Sequence, residues 1–155
     1  MYKLIATGLI ALDILLFLTP TVQAQKVAVK EDCTATINAA QSRIAEGRNV
    51  EVSIRSQDIS ESYPDHPESR PYNYLFLMEG AATDSIMNSP QFMKLIANNV
   101  INNCGSVSSV TFALNQSGWN YSIGLLSNGK IDFFDCIEHE DYNVKLNWGQ
   151  QYCTL

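Results

Sequence analysis

Apolar and polar positions alternate along this chain with two different periods, and the change of period marks out its elements. Over residues 32–46, Ile37, Ala40 and Ile44 recur at steps of three to four beside Cys33. That is one face of a helix, and Gly47 supplies its stop. Val50, Val52 and Ile54 then alternate with Glu51, Ser53 and Arg55, which predicts a half-buried strand. Residues 57–73 are polar and carry Pro64, Pro67 and Pro71, so they read as a long exposed loop. Residues 72–78 are an apolar and aromatic run suited to a buried strand, and residues 81–88 suit a brief helical turn. Ser89-Pro90 opens a second helix: Ser is a cap for free amide groups, and Pro at the first helical position needs no donor. Phe92, Leu95, Ile96 and Val100 would line its inner face, ending near Cys104-Gly105.

The last third has the period of a strand meander. Val110, Phe112 and Leu114 alternate, as do Tyr121, Ile123 and Leu125, and Asn128-Gly129 is a strong two-residue hairpin signal. Residues 131–136 then form the returning strand, and residues 144–148 supply a final one. This order predicts an α+β fold, an antiparallel sheet of about four to five strands with two main helices packed on one face. Residues 25–155 make a single domain, large enough to bury a core.

The N-terminus follows neither period. Lys3 precedes an apolar run over residues 4–18, and Val22-Gln23-Ala24 places a small residue before a cut. These are the parts of a secretory signal, so residues 1–24 are expected to be removed and Gln25 to become the new start. The run is shorter than the roughly 20 residues that cross a bilayer, and Asp13 inside it costs roughly 2.5–3.5 kcal/mol on insertion. No stable membrane anchor is therefore expected after cleavage, and the setting is secreted or periplasmic. Cleavage removes one base, Lys3, and one acid, Asp13, so the net charge stays at −6. An acidic surface lacks the Lys and Arg that neutralise phosphates, which argues against nucleic acid as a partner.

Cys33, Cys104, Cys136 and Cys153 are an even number in a chain marked for export, and so predict two disulfides. Three pairings are open. Cys33–Cys104 with Cys136–Cys153 is favoured because each pair joins segments that the pattern sets side by side. No Cys-x-x-Cys or Cys-His spacing points instead to zinc.

Candidate chemistry is sparse. Asp132, Asp135, Glu138, His139, Glu140 and Asp141 are the densest group of metal-type ligands, and hard cations want several carboxylate oxygens together. Asp135 to Asp141 is thus a candidate metal stretch, although its spacing matches no EF-hand loop and a solvated acidic face is the plainer reading. His66, between Asp65 and Glu68 in the proline-rich loop, could act in an acid–base set, as could His139. No nucleophile elbow, zinc-protease motif, phosphate loop or dinucleotide fingerprint occurs. No cofactor is implied.

Aromatic residues crowd the C-terminal third. A period of two puts Trp119 and Tyr121 on one face, while Phe133 and Phe134 must straddle both. One of that pair should point away from the core or be covered. Trp119, Tyr121, Phe134 and Trp148 are accordingly candidates for a protein- or glycan-binding surface. Core packing is the plainer reading of such residues.

The string from Ile86 to Met93 (Ile-Met-Asn-Ser-Pro-Gln-Phe-Met), Asn103-Cys104, Phe133 with Cys136, and Trp148-Gly149 with Cys153 resembles small exported cyanobacterial proteins of unknown function. The resemblance runs from about Cys33 to Cys153. It implies a bacterial periplasmic or secreted setting and no activity. The expectation from the sequence is an exported, non-catalytic binding module. The alternatives are a small extracytoplasmic hydrolase or metal-dependent enzyme using His66 or His139, and an inhibitor that presents loop 57–73 to an extracellular enzyme.

Overall fold

The computed structural model describes residues 21–138 and 145–153, with side chains from Cys33 onward. The expected signal segment up to residue 20, and His139, Glu140 and Asp141 of the acidic stretch, lie outside the described residues.

Among the described residues ten elements follow in order: α1 (Thr21–Ala45), β1 (Glu51–Asp58), β2 (Tyr72–Glu79), α2 (Thr83–Met87), α3 (Pro90–Asn103), β3 (Val107–Leu114), β4 (Asn120–Leu125), β5 (Ile131–Phe133), β6 (Asp135–Ile137) and β7 (Gln150–Tyr152). Helix α1 begins well ahead of the expected start at Asp32. It ends where the sequence placed its stop, with Gly47 at φ 65°, a left-handed conformation that a side chain would disfavour. The Arg48 guanidinium then donates to the carbonyls of Arg43, Ile44 and Glu46 at 3.1, 3.3 and 3.1 Å. Its carbon lies 4.7 Å from the centre of the Phe92 ring, tying the end of α1 to the start of α3.

Strands β1 to β5 form one sheet in chain order. Three of its pairings are antiparallel, as expected. The β2–β3 pairing is parallel, which corrects the expectation of a wholly antiparallel sheet. The reason is the crossover: α2 and α3 carry the chain from the end of β2 back to its beginning, so β3 must run the same way.

One face of the sheet carries Val52, Phe76, Met78, Val110, Phe112 and Ile123. These form a single buried cluster with Ile37, Ala40 and Ile44 of α1 and with Met93, Ile96, Ala97, Val100 and Ile101 of α3. The buried stripe of α3 sits about one residue round from the expected one, so Leu95 is 48 % exposed rather than internal. Apolar residues at 92, 93, 95, 96, 97, 100 and 101 make a band wider than the contact, and the sheet selects the i, i+3, i+4 series centred on Ile96 and Ala97. Ser89 precedes α3 without a side-chain cap; its carbonyl accepts from the Met93 amide at 3.1 Å instead. Cys33 and Cys104 are disulfide-bonded inside this layer, stapling α1 to the end of α3.

The expected strand over residues 131–136 is broken at Phe134. Phe133 ends β5, and the chain then leaves the large sheet to form β6, which pairs in parallel with β7. The final strand is therefore at Gln150–Tyr152, not within 144–148, of which residues 145–148 are irregular. The bond Cys136–Cys153 closes this two-stranded ribbon, in the expected pairing.

Candidate functional site

The second face of the sheet is polar toward one end and apolar toward the other, where Leu75 and Leu77 of β2 and Ala113 of β3 stand. By alternation it carries Asn73 of β2, Ser109 and Thr111 of β3, and Ser122 and Gly124 of β4. These small polar residues would read as a solvent face, yet Asn73 is 6 % and Ser109 3 % exposed. They are covered by the loop 59–71, by Phe134 just ahead of β6 and by Trp148 ahead of β7.

The loop is tied down along its length. At its base the Ile59 amide donates to Pro71 O at 2.8 Å, and Ile59 itself is buried. The Arg70 guanidinium donates to Ile101 O and Val107 O at 2.9 and 2.8 Å, holding the loop to the end of α3 and the start of β3. At the far side the Tyr63 hydroxyl donates to Gln150 O at 2.8 Å, and Asp65 Oδ2 accepts from the Trp148 amide at 2.9 Å. Tyr63, Phe134 and Trp148 form an edge-to-face cluster with ring centres 4.9 to 6.0 Å apart. Burial pushes the Tyr63 phenol above its ordinary pKa, and the neighbouring Tyr152 and Asp65 charges add to this.

Where β5 stops short, the Ser122 amide would lack a partner. Gln151 fills the gap, its side-chain oxygen accepting at 2.8 Å, while the Phe134 amide donates to Ser122 O at 2.9 Å. Trp148 is fixed by its indole N–H, which donates to Leu125 O at 2.8 Å.

Between floor and cover is a cavity of about 230 Å³ bounded by Gln57, Asp58, Ile59, Ser62, Tyr63, Asn73, Ser109, Thr111, Ser122 and Phe134. Its floor is one hydrogen-bonded network. Asn73 Oδ1 accepts from Ser109 Oγ at 3.0 Å and from Thr111 Oγ1 at 3.2 Å, and Thr111 meets Ser122 Oγ at 3.0 Å. The Asn73 amide nitrogen donates to Gln57 Oε1 at 3.3 Å. At the mouth, Asp58 takes hydrogen bonds from Ser60, which hold its carboxyl below the usual range, with a smaller contribution from nearby His66.

The four aromatic candidates divide between the two faces. Trp119 and Tyr121 lie with Phe133 in an edge-to-face row partly buried against the helix-side core, with centres 6.3 and 5.9 Å apart. Phe134 and Trp148 belong to the cover of the polar cavity. Phe133 and Phe134 thus straddle the sheet as the alternation requires. Phe134 is 7 % exposed, so it is the covered member of the pair.

Asp135 and Glu138 are exposed, and Asp132 is drawn away to α3, where its carboxylate pairs with Lys94 at 2.9 Å. Lys94 and then the Phe133 amide hold the Asp132 carboxyl below its ordinary pKa. Among the described residues, no three His, Cys, Asp or Glu side chains come together as metal ligands. The Asp65–His66–Glu68 set does not assemble as an acid–base unit: Asp65 accepts from Trp148, and His66 Nδ1 lies 2.8 Å from Pro67 O.

Sequence reasoning missed Asn73, Ser109, Thr111 and Ser122. The available signal was the run of small polar residues at alternate positions of otherwise apolar strands, together with a proline-stiffened loop long enough to fold over them.

The chain matches no protein-family model, no curated protein and no solved structure.

Proposed function

We propose that this protein is an exported, non-catalytic binding module that takes a small polar ligand in the cavity between its sheet and the loop 59–71. The observation that carries this reading is the cavity floor: a strand face of hydroxyls and amides held open under a cover pinned on both sides. A sheet face that served only to pack the loop would be filled by apolar side chains, since interiors are close-packed. Two disulfides indicate an oxidising, extracytoplasmic compartment, and among the described residues no helix is long and apolar enough to cross a membrane. Export through the N-terminal signal is part of the proposal. The aromatic residues that the sequence offers as a protein- or glycan-binding surface are partly or wholly buried, which favours a small ligand in the cavity over a flat protein partner.

A thermal-shift screen against sugars, amino acids, amines and inorganic and organic anions tests this reading, using the wild type and Ser122→Phe. The variant fills the cavity from the strand side. A compound that raises the melting temperature of the wild type but not of a folded Ser122→Phe protein supports the proposal. If every stabilising compound acts equally on both proteins, the cavity is not the binding site.

A further inference from the structure

The hydrogen-bond network of the floor restricts what can bind there. Asn73 Oδ1 has no proton to give, so Ser109 and Thr111 must both donate to it. Thr111 has a single hydroxyl proton, already directed at Asn73, so in the Thr111–Ser122 contact the donor must be Ser122. Two hydroxyl protons therefore point at one carbonyl oxygen, and the third, from Ser122, points at Thr111. What Ser109 and Ser122 have left for a ligand is lone pairs. The Asn73 nitrogen uses one proton on Gln57, the NH₂ of Gln57 is left to donate, and Ser62 adds a hydroxyl from the loop side.

No Lys, Arg or His is among the residues bounding the cavity, so no positive charge there offsets the desolvation of an anion. The one ionised group, Asp58, is at the exposed mouth with its carboxylate engaged by Ser60, so it offers an entering cation little beyond a water-screened charge. The sides are aromatic and apolar, from Tyr63, Phe134 and Ile59. The cavity, at about 230 Å³, falls below the roughly 300–1,000 Å³ of sites for drug-sized ligands.

Resting on the binding reading above, we infer that the ligand is a neutral polyhydroxy compound about the size of one sugar ring. Its hydroxyls donate to Ser109 and Ser122, its oxygen lone pairs accept from the Asn73 and Gln57 amides, and its C–H surface packs on Tyr63 and Phe134. Such a ligand has donors for the lone pairs, acceptors for the amides and no charge to desolvate.

The test is a titration of the exported protein followed by NMR at the amides of Asn73, Ser109, Thr111 and Ser122. The probes are glucose, myo-inositol, ethanolamine, acetate and inorganic phosphate. Saturable shifts with glucose or myo-inositol are expected, weakened roughly three- to tenfold in Ser109→Ala, the loss of one neutral hydrogen bond. Singly deoxyfluorinated glucoses keep the size of the sugar but lose one O–H donor, and at least one of them should bind about tenfold more weakly. Because Ser109 supports Asn73, Thr111→Val serves as a second variant of nearly unchanged shape. It frees the Ser122 proton to donate, so the penalty for a deoxyfluorinated sugar should shrink. Saturation by ethanolamine, acetate or phosphate with no response to either polyol overturns the ligand class while leaving the cavity as a binding site. Equal affinity for glucose and for every deoxyfluorinated glucose overturns the donor argument. If no probe shifts these amides, the inference falls, and the separate Ser122→Phe comparison decides whether the binding reading falls with it.

Discussion

The ring of Phe134 rests against Gly124, so closely that a β-carbon there would clash with Phe134 Cε1 and stand 3.2 Å from Trp148 Cζ2. Gly124 is in the middle of the β3–β4–β5 pairing, opposite Ser109 and Asp132. Its missing side chain is what lets the aromatic cover reach the sheet. Gly124→Ala should therefore destabilise the fold by about 1–3 kcal/mol through overpacking, and displace Phe134 and Trp148. Gly118→Ala is the control, since a β-carbon there meets nothing within 4 Å. Chemical denaturation of both variants checks this, and equal stabilities would contradict it.

Arg70 reaches from the loop to the carbonyls of Ile101 and Val107. Those carbonyls close α3 and open β3, so one guanidinium binds three parts of the chain together. Arg70→Met keeps much of the stem and removes the donors, leaving two carbonyls without their charged partner. The expected cost is about 1–3 kcal/mol. Limited proteolysis should show faster cutting within residues 59–71 at a given protease dose, while the unchanged helix–sheet core resists.

How much of this was legible in the sequence depends on how far apart the determining residues are. Val52, Ile54, Val110, Phe112 and Ile123 declare their strands and their buried face by local alternation, and Gly47 declares the end of a helix. The two disulfides also followed, because each joins segments that the elements bring together. The parallel β2–β3 pair is implicit in the strand–helix–strand order, although the expectation was an antiparallel sheet. The exit at Phe134 had no local signal, since Ile131 to Cys136 is continuous strand sequence. The room for its ring comes from Gly124, ten positions upstream and on another strand. The cavity was least legible of all. Asn73, Ser109, Thr111 and Ser122 look like a wetted face until Tyr63 bonds Gln150 and Asp65 bonds Trp148, contacts separated by 87 and 83 residues.

The two disulfides should differ sharply in their response to reductant. Cys33 and Cys104 are 9 % and 0 % exposed inside the core, whereas Cys136 is exposed on the small ribbon. Mild reductant followed by alkylation and peptide mapping should label Cys136 and Cys153 first. The chain-entropy account gives about 4 kcal/mol for the bond spanning 71 residues and about 3 for the one spanning 17. Loss of the outer bond should loosen Trp148 and Gln151 over the cavity with the core intact, seen as weaker ligand binding at little change in helical signal. Simultaneous labelling of all four cysteines would mean the ribbon and core open as one unit.

Tyr63 gives the cover a dependence on alkaline pH. Its phenol is raised above the ordinary value, first by burial and then by the charges of Tyr152 and Asp65. A raised folded pKa means that the neutral phenol is favoured in the folded state. The stabilisation is complete below the unfolded value of about 10 and is lost as pH rises through the higher folded value. Ionisation there also removes the proton that Tyr63 donates to Gln150 O and forces a charge against Phe134 and Trp148. The wild type should thus show a tyrosinate step later than that of an exposed tyrosine, coupled to a change in tryptophan fluorescence as Trp148 loses its neighbour. Tyr63→Phe keeps the ring contacts and removes both the proton and the titration. It should cost about 1 kcal/mol at neutral pH and abolish the coupled step. Persistence of that step in Tyr63→Phe would assign it to another tyrosine and remove Tyr63 as the alkaline latch of the cavity.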